Sequence, residues 1–191
     1  MARTKEFDPD AVLRRAMDLF RERGCENTSM ADLVEHLGIG RASIYATFGG
    51  KRDLYLKALA RYREITDGAV LESLSRPGPA LPAVHALIDG YARESATDGH
   101  GCMVVNTAVE LAPRDPDAAR CVEASWSLLE TALTSALTRA QKQGELAAEK
   151  DPRALARFLL VLFQGMRVLA RTPDPSDRLR DTAAQARALL S

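Results

Sequence analysis

The polar residues capable of specific binding chemistry stand close together near the N-terminus, around a predicted tight turn. Gly38 separates two short segments of helical spacing, and glycine permits the left-handed backbone that such a turn requires. In the second segment Ile44 and Phe48 supply an apolar face, whereas Arg41 and Tyr45 lie on another face. A short helix of this kind fits the major groove of DNA, where the residues at its N-terminal end meet base edges. The pattern therefore predicts a helix-turn-helix that reads double-stranded DNA.

Apolar residues on both segments are expected to fix the angle between the two helices. Those residues are Ala31, Val34, Ile39, Ile44 and Phe48.

Helix-breaking residues divide the chain into the segments that must position this motif. Asp8 or Asp10 can cap a first helix that Gly24 ends, and a fourth helix starts near Lys51 and continues to Ile65. Aromatic residues make up only 5% of the chain, which disfavours strands. We therefore predict an all-α protein of nine helices. The other seven are expected at Met30 to Leu37, Gly40 to Thr47, and about 82–95, 102–111, 117–143, 152–171 and 175–190.

Composition excludes several classes of protein. Of 191 residues, 46% are hydrophobic and 27% charged, an ordinary globular balance, and no apolar run is long enough to span a membrane. The start has no signal-peptide pattern, so we expect a cytoplasmic protein. Cys25, Cys102 and Cys121 stand far apart, which predicts free thiols, and no cofactor or metal site is expected.

Charge is distributed unevenly, although the chain as a whole is neutral. Residues 1–63 hold 12 Lys and Arg against 9 Asp and Glu, a net charge of +3, and residues 64–191 hold 14 against 17, a net charge of −3. This modest asymmetry fits a DNA-reading head on a mildly acidic body.

The motifs of residues 9 to 60 resemble the signature of the TetR/AcrR family. The resemblance implies an N-terminal helix-turn-helix domain (residues 1–50), a C-terminal ligand-binding and dimerisation domain (51–191), and a transcriptional regulator, most often a repressor that an inducer releases from its operator. The matching motifs are Met17-Asp18-Leu19-Phe20, Gly24, Thr28-Ser29-Met30, Leu37-Gly38-Ile39, Ile44-Tyr45-x-x-Phe48 and Lys51-x-x-Leu54.

The same resemblance assigns roles at the DNA. It implies phosphate contacts from Tyr45, Lys51 and Thr28. By the same likeness Arg41, Ala42 and Thr47 would face the bases. The family usually opens the recognition helix with Ser or Thr, whereas this chain has Gly40, which removes a side-chain cap and a phosphate contact.

Two C-terminal helices predict a homodimer. Residues 155–166 are apolar nearly all round, so that helix must be covered on two sides. The last helix carries Leu179, Ala183, Ala186 and Leu190 at a spacing suited to helix packing. Two such helices from each subunit would form a four-helix interface, and the dimer would bind a palindromic operator. The alternative is a monomer whose core uses the same residues.

Polar groups inside apolar helical stretches are candidates for an inducer pocket, because ligand sites place a few polar groups in an apolar lining. Three such polar groups within apolar stretches are Glu110, His85 and Tyr91. The residues taken as candidate ligand contacts are Cys102, Asn106, Trp126 and Gln164.

Gly101-Cys102-x-x-x-Asn106 is similar to a segment of the electrophile-responsive NemR-like branch of the family. A thiol at a helix N-terminus gains thiolate character from the helix dipole. Cys102 is therefore a candidate sensor, and the alternative is a thiol that only packs.

Coupling between head and body is expected to run through the fourth helix, at Leu54, Ala58 and Tyr62. Two other functions compete with this interpretation. A helical-bundle or thiol-dependent enzyme would leave the helix-turn-helix unexplained. An adaptor that has lost operator binding is favoured only by Gly40 and the weak charge asymmetry.

Overall fold

The computed structural model describes residues 7–97 and 101–191, and over these residues the chain forms nine α-helices and no strand. The predicted all-α fold is confirmed. None of these helices is long and apolar enough to cross a membrane. The helices are α1 (Pro9–Arg23), α2 (Met30–Leu37), α3 (Arg41–Phe48), α4 (Lys51–Ser75), α5 (Ala80–Thr97), α6 (Met103–Glu110), α7 (Pro116–Lys142), α8 (Pro152–Leu169) and α9 (Ser176–Leu190).

Local capping sets several helix ends, as the sequence predicted. The Asp8 carboxylate accepts the Asp10 amide at 2.9 Å and begins α1, and Gly24 ends that helix at a φ of 80°. The fourth helix begins at Lys51 as predicted, continues past Ile65 and ends at Ser75. Gly68 within it is tolerated, and the Pro and Gly of residues 77–78 supply the next real break.

The chain divides into two compact units. The first contains residues up to Glu64 together with Cys102–Val122, and the second contains Ile65–Gly101 together with Glu123–Ser191. Helices α4 and α7 contribute residues to both units, and α6 belongs to the first unit with α1, α2 and α3.

An apolar interior fixes the helices of the first unit. Phe20 and Tyr55 meet edge to face, with ring centroids 4.9 Å apart. Leu33 and Leu37, four residues apart on α2, are the buried residues of that helix. Of the residues predicted to fix the angle between the helices, Ile44 and Phe48 are buried and Val34 and Ile39 are partly buried. The prediction for Ala31 was wrong, because that residue is exposed.

The second unit has its own apolar core, to which α5, α7, α8 and α9 contribute. Tyr91 stacks on the buried Phe163 with ring centroids 4.0 Å apart. Helix α8 also keeps an exposed apolar face, with Val161 72% exposed and Phe158 42% exposed. The nearly all-apolar pattern of residues 155–166 therefore supplies one buried face and one exposed face.

Candidate DNA-binding surface

A capping box begins α2, the first helix of the helix-turn-helix. The Ser29 hydroxyl accepts the Asp32 amide at 3.1 Å, and the Asp32 carboxylate accepts the Ser29 amide at 2.8 Å and the Ser29 hydroxyl at 2.5 Å. These hydrogen bonds, from the Ser29 hydroxyl first, hold the pKa of Asp32 below its usual range. The box satisfies amides at the start of α2 and fixes where the helix starts.

The turn after α2 is closed by a glycine and an arginine. Gly38 has a φ of 67° and donates its amide to the Val34 carbonyl at 3.0 Å. Arg15 on α1 donates to the carbonyls of Leu37, at 3.1 Å, and His36. A cation at the C-terminal end of α2 satisfies carbonyls that the helix leaves open.

Helix α3 presents the predicted recognition face to solvent. Arg41, Ala42 and Tyr45 are exposed, Thr47 is partly exposed, and the Arg41 guanidinium lies 5.8 Å from the centre of the Tyr45 ring. Gly40 stands at the N-cap with no side-chain hydrogen bond. Nothing lies within 4 Å of where a Cβ of Gly40 would be, so the first turn of α3 is sterically open.

Two further contacts hold the C-terminal end of α3. Gly49 has a φ of 99°, and a Cβ there would collide with the Asp53 carboxylate. Lys57 on α4 donates to the Phe48 carbonyl at 2.8 Å and lies over the Phe48 ring. Helix α3 is thus fixed at this end by α4.

Lys51 and Thr28, both predicted to contact phosphates, make contacts inside the first unit. The Lys51 ammonium donates to the carbonyls of Cys25 and Thr28, each at 2.9 Å, and is partly buried. The Thr28 side chain is fully buried, and its hydroxyl donates to the Gly24 carbonyl at 2.6 Å. In this arrangement both residues fasten the loop between α1 and α2.

The last residue of α6 fastens the same loop from another side. The Glu110 carboxylate accepts the amides of Cys25 at 2.8 Å and Glu26 at 3.2 Å. A Cβ on Gly24, whose φ is 80°, would overlap that carboxylate, so the contact needs a glycine there. Burial raises the pKa of the Cys25 thiol to about 11, even though the nearby Lys51 ammonium favours the thiolate.

Two of the predicted ligand contacts therefore lie in the first unit. Asn106 on α6 donates to the Arg21 carbonyl of α1 at 3.3 Å, and Cys102 is the N-cap residue of α6 and partly exposed. Beside them Thr107 shares a 2.8 Å hydrogen bond with the buried Tyr55 hydroxyl of α4. Burial is the main cause that raises the pKa of that hydroxyl.

The other two predicted ligand contacts lie in the second unit. Trp126 on α7 is partly buried, and its indole Nε1 is enclosed without a hydrogen-bond partner. Gln164 on α8 donates its amide to the Leu160 carbonyl of its own helix at 3.0 Å.

Arg52 links the start of α4 to the start of α7. Its guanidinium donates to Asp115 at 2.6 and 2.8 Å and to Asp117 at 2.8 Å. These bonds favour the ionised carboxylate and lower the pKa of Asp115 to about 2.

Sequence reasoning missed Arg15, Lys57 and Glu110 as the residues that position the reading helices. Glu110 carried a signal, since a carboxylate in an apolar eight-residue helix needs a partner. The sequence placed Glu110 among the polar groups that could line a pocket and did not assign it to the α1–α2 loop. Arg15 and Lys57 sit on ordinary amphipathic helices and carried none.

Two family sequence models match the chain. Residues 12–58 match bacterial regulatory proteins of the tetR family, and residues 79–186 match the tetracyclin repressor-like C-terminal domain. The first match covers the helix-turn-helix, and the second covers most of the second unit.

Individual relatives match over nearly the whole chain. The HTH-type transcriptional regulator YezE of Bacillus subtilis is 41% identical over 184 residues, 95% of each chain. The HTH-type transcriptional repressor ComR of Escherichia coli is 33% identical over 186 residues, 95% of this chain and 88% of ComR. A solved structure of a cysteine mutant of the TetR family regulator CifR with 26-bp operator DNA superposes with a TM-score of 0.87 at 29% identity and covers 100% of both chains.

Proposed function

This protein belongs to the tetR family of DNA-binding transcriptional regulators, and from that premise we propose that it is a dimeric repressor that an inducer releases from a palindromic operator. The observation that carries the proposal is the face of α3, where Arg41, Ala42 and Tyr45 are exposed while Ile44 and Phe48 anchor the helix. It acts in the cytoplasm by binding and not by catalysis.

Each predicted DNA contact of α3 is assigned a partner of suitable chemistry. Arg41 and Thr47 hydrogen-bond to base edges, and the Ala42 methyl group offers an apolar contact to a thymine methyl. Tyr45 donates its hydroxyl to a phosphate. Gly40 leaves the first amides of α3 without a side-chain cap, and uncapped amides at a helix N-terminus bind phosphate well.

Lys51 and Thr28 need a revised assignment. A lysine ammonium has three N–H donors, and Lys51 uses two of them on the α1–α2 loop, which leaves one for a phosphate. The buried Thr28 hydroxyl has no surface to offer DNA. We therefore assign Thr28 to positioning Lys51 through its carbonyl instead of contacting phosphate itself.

Dimerisation is assigned to α8 and α9. Phe158, Val161 and Val168 on α8 and Leu189 on α9 are large apolar residues that the single chain leaves exposed. A second copy that covered this face would bury them, and a two-fold dimer presents two copies of α3 to a palindrome.

Inducer action is proposed to reach the reading helices through α6 and α4. Residues on α6 hold α1 and the α1–α2 loop, and α4 carries the buried Leu54, Ala58 and Tyr62 within the same unit. A ligand that favours another arrangement of these helices shifts the population away from the DNA-binding form. Trp126 and Gln164 stay predicted ligand contacts.

Electrophile sensing is proposed only for Cys102. Cys102 is partly exposed at the N-cap of α6, whereas Cys121 is partly exposed inside α7. Cys25 is buried, and its raised pKa disfavours the reactive thiolate. The likeness of this segment to the NemR-like branch stays a prediction.

Fluorescence anisotropy on DNA from the protein's own promoter region, with a scrambled duplex as reference, tests the proposal. Specific binding should weaken steeply with salt, because phosphate contacts release counterions. Arg41→Ala should cost about 1–3 kcal/mol and relax specificity at one position, whereas Tyr45→Phe should weaken all sequences alike. Arg61→Ala is the matched control, since Arg61 is exposed on α4 and pairs with Glu64.

Two outcomes would contradict the proposal. No preference for any native upstream fragment would favour the adaptor that lost operator binding. A monomer at the concentrations that bind DNA, by sedimentation, would remove the dimer.

A further inference from the structure

An open groove runs between α4 and α7 in the second unit. Its volume is about 550 Å³, within the usual range for small-molecule sites. None of the predicted ligand contacts lines it. Its walls combine apolar side chains with hydroxyls and a single charged group, and include Leu71, Leu74, Leu128, Thr131, Ser135 and Arg139.

The groove uses a face of α7 that the core shares only at Ala132. Residues 124, 127, 128, 131, 135 and 139 line it at helical spacing, whereas Leu129, Leu133 and Leu137 are buried in the core. From residue 124 to residue 139 an α-helix rises about 22 Å, so the groove has the length of an extended alkyl chain.

Contacts at both ends join the two helices and leave the groove between them. Near one end the Ser125 hydroxyl donates to the Asp67 carboxylate at 2.8 Å. At the other end Arg139 donates through Nη2 to the Leu74 carbonyl at 2.9 Å. Of the groove's lining residues only Arg139 is charged, so an anionic head group is favoured at the Arg139 end.

Arg139 is an unneutralised cation in this setting. It forms no ion pair among residues 7–97 and 101–191, and its Nε is enclosed without a hydrogen-bond partner. Other arginines of the same unit are paired, as Arg157 is with Glu130 and Arg187 with Asp89. A partly buried charge beside apolar groups is stabilised when an opposite charge joins it.

We propose that this groove binds an amphipathic monocarboxylate, with its carboxylate on Arg139 and its alkyl chain along Leu71 and Leu128. One guanidinium in an otherwise uncharged lining matches a single negative charge, whereas a phosphate dianion would need further donors. The hydroxyls of Thr131 and Ser135 can hydrogen-bond the ligand's carboxylate directly or through a water molecule. That this ligand is the inducer rests on the proposed function; the binding site itself does not.

Isothermal titration calorimetry with octanoate, decanoate and dodecanoate tests the site directly. At least one of these acids should bind saturably, and Arg139→Gln should weaken it at least tenfold. Arg139→Lys, which keeps the charge but not the planar fork, should retain part of the affinity. Decyltrimethylammonium, which has a matched chain and the opposite charge, should bind at least tenfold more weakly than decanoate.

Two more variants separate the groove from the rest of α7. Thr131→Trp places a large side chain on the exposed wall and should abolish binding without unfolding the chain, as thermal melting would check. Arg120→Gln is the matched control, because Arg120 is an exposed arginine of α7 that pairs with Asp117 outside the groove. Its affinity for decanoate should be unchanged.

The outcomes separate the proposed carboxylate site from the proposed function as an inducible repressor. The site is overturned if none of the three acids binds saturably, if Arg139→Gln binds as wild type while folded, or if the cation binds as tightly as decanoate. Saturable carboxylate binding by a chain that binds no operator would uphold the site and overturn the proposed function. Binding that leaves the operator complex intact would overturn only the inducer role.

Discussion

Both units of this chain have an apolar interior, and in the first unit long-range charged contacts also hold the ends of the reading helices. In the first unit, charged side chains hold the ends of the reading helices by their backbone groups, as Arg15 does at α2, Lys57 at α3 and Glu110 at the α1–α2 loop. In the second unit, α5, α7, α8 and α9 share one apolar cluster that includes the fully buried Ile88 and Phe163.

The difference matters because the two kinds of contact differ in size. A hydrogen bond to a charged group contributes about 1.5–3 kcal/mol to the free energy of unfolding. Truncating a large buried aromatic side chain to alanine costs about 3–5 kcal/mol, because the hydrophobic contacts are lost and a cavity is left behind. A single hydrogen bond at a helix end can break without the others, whereas buried side chains share their packing contacts. Loss of one charged contact at a reading helix can therefore alter the position of that helix while its buried residues keep the unit folded.

The largest expected effect lies in the core of the second unit. Phe163→Ala should lower the free energy of unfolding by about 3–5 kcal/mol, since it removes a fully buried ring stacked on Tyr91. Phe163→Leu retains much of the volume and should lose less. Chemical denaturation with matched slopes would measure both, and equal losses for the two variants would contradict a packing role.

Removing the α6 anchor should have a smaller and more local effect. Glu110→Ala leaves the amides of Cys25 and Glu26 without their acceptor and should cost about 1–3 kcal/mol. Glu110→Gln keeps an amide oxygen that can accept those bonds, so it should cost less. Hydrogen exchange at the two amides should speed up in the alanine variant before any global unfolding.

Glu123→Gln provides a control, because Glu123 is an exposed carboxylate whose partner is the Ser127 hydroxyl on α7. Unchanged exchange at Cys25 and Glu26 in Glu110→Ala would show that packing alone holds the α1–α2 loop and that the Glu110 carboxylate does not position it.

Local signals explain why most of the fold was predictable. Asp8, Ser29 and Gly38 act within four residues of the helix ends that they set, so their effect can be read from the sequence alone. The same holds for the exposed face of α3. Helix α4 continues through Gly68 and stops just before the Pro and Gly of residues 77–78, which is again a local signal.

The positioning contacts of the site were less accessible, because their partners are far apart in sequence. Glu110 and the Cys25 amide are separated by 85 residues, and Arg15 and Leu37 by 22. No spacing rule links such pairs. Asn106 shows the consequence, since its polar character was predictable but its partner, the Arg21 carbonyl of α1, was not.

The smallest expected effect concerns acid and the α2 cap. Because hydrogen bonds from Ser29 lower the pKa of folded Asp32, the ionised carboxylate stabilises the fold above the ordinary aspartate pKa. That contribution is lost as the pH falls through the lowered value, so α2 should loosen at acid pH while the apolar core of the second unit does not respond through this group. NMR titration of the Asp32 carboxyl would measure the shift, and Ser29→Ala should move the pKa back towards its usual range. Ser127→Ala, on the exposed surface of α7, should leave the pKa of Asp32 unchanged. An ordinary pKa for Asp32 in the wild-type chain would remove the capping box as a source of stability. The position of α2 would then depend on the packing of Leu33 and Leu37.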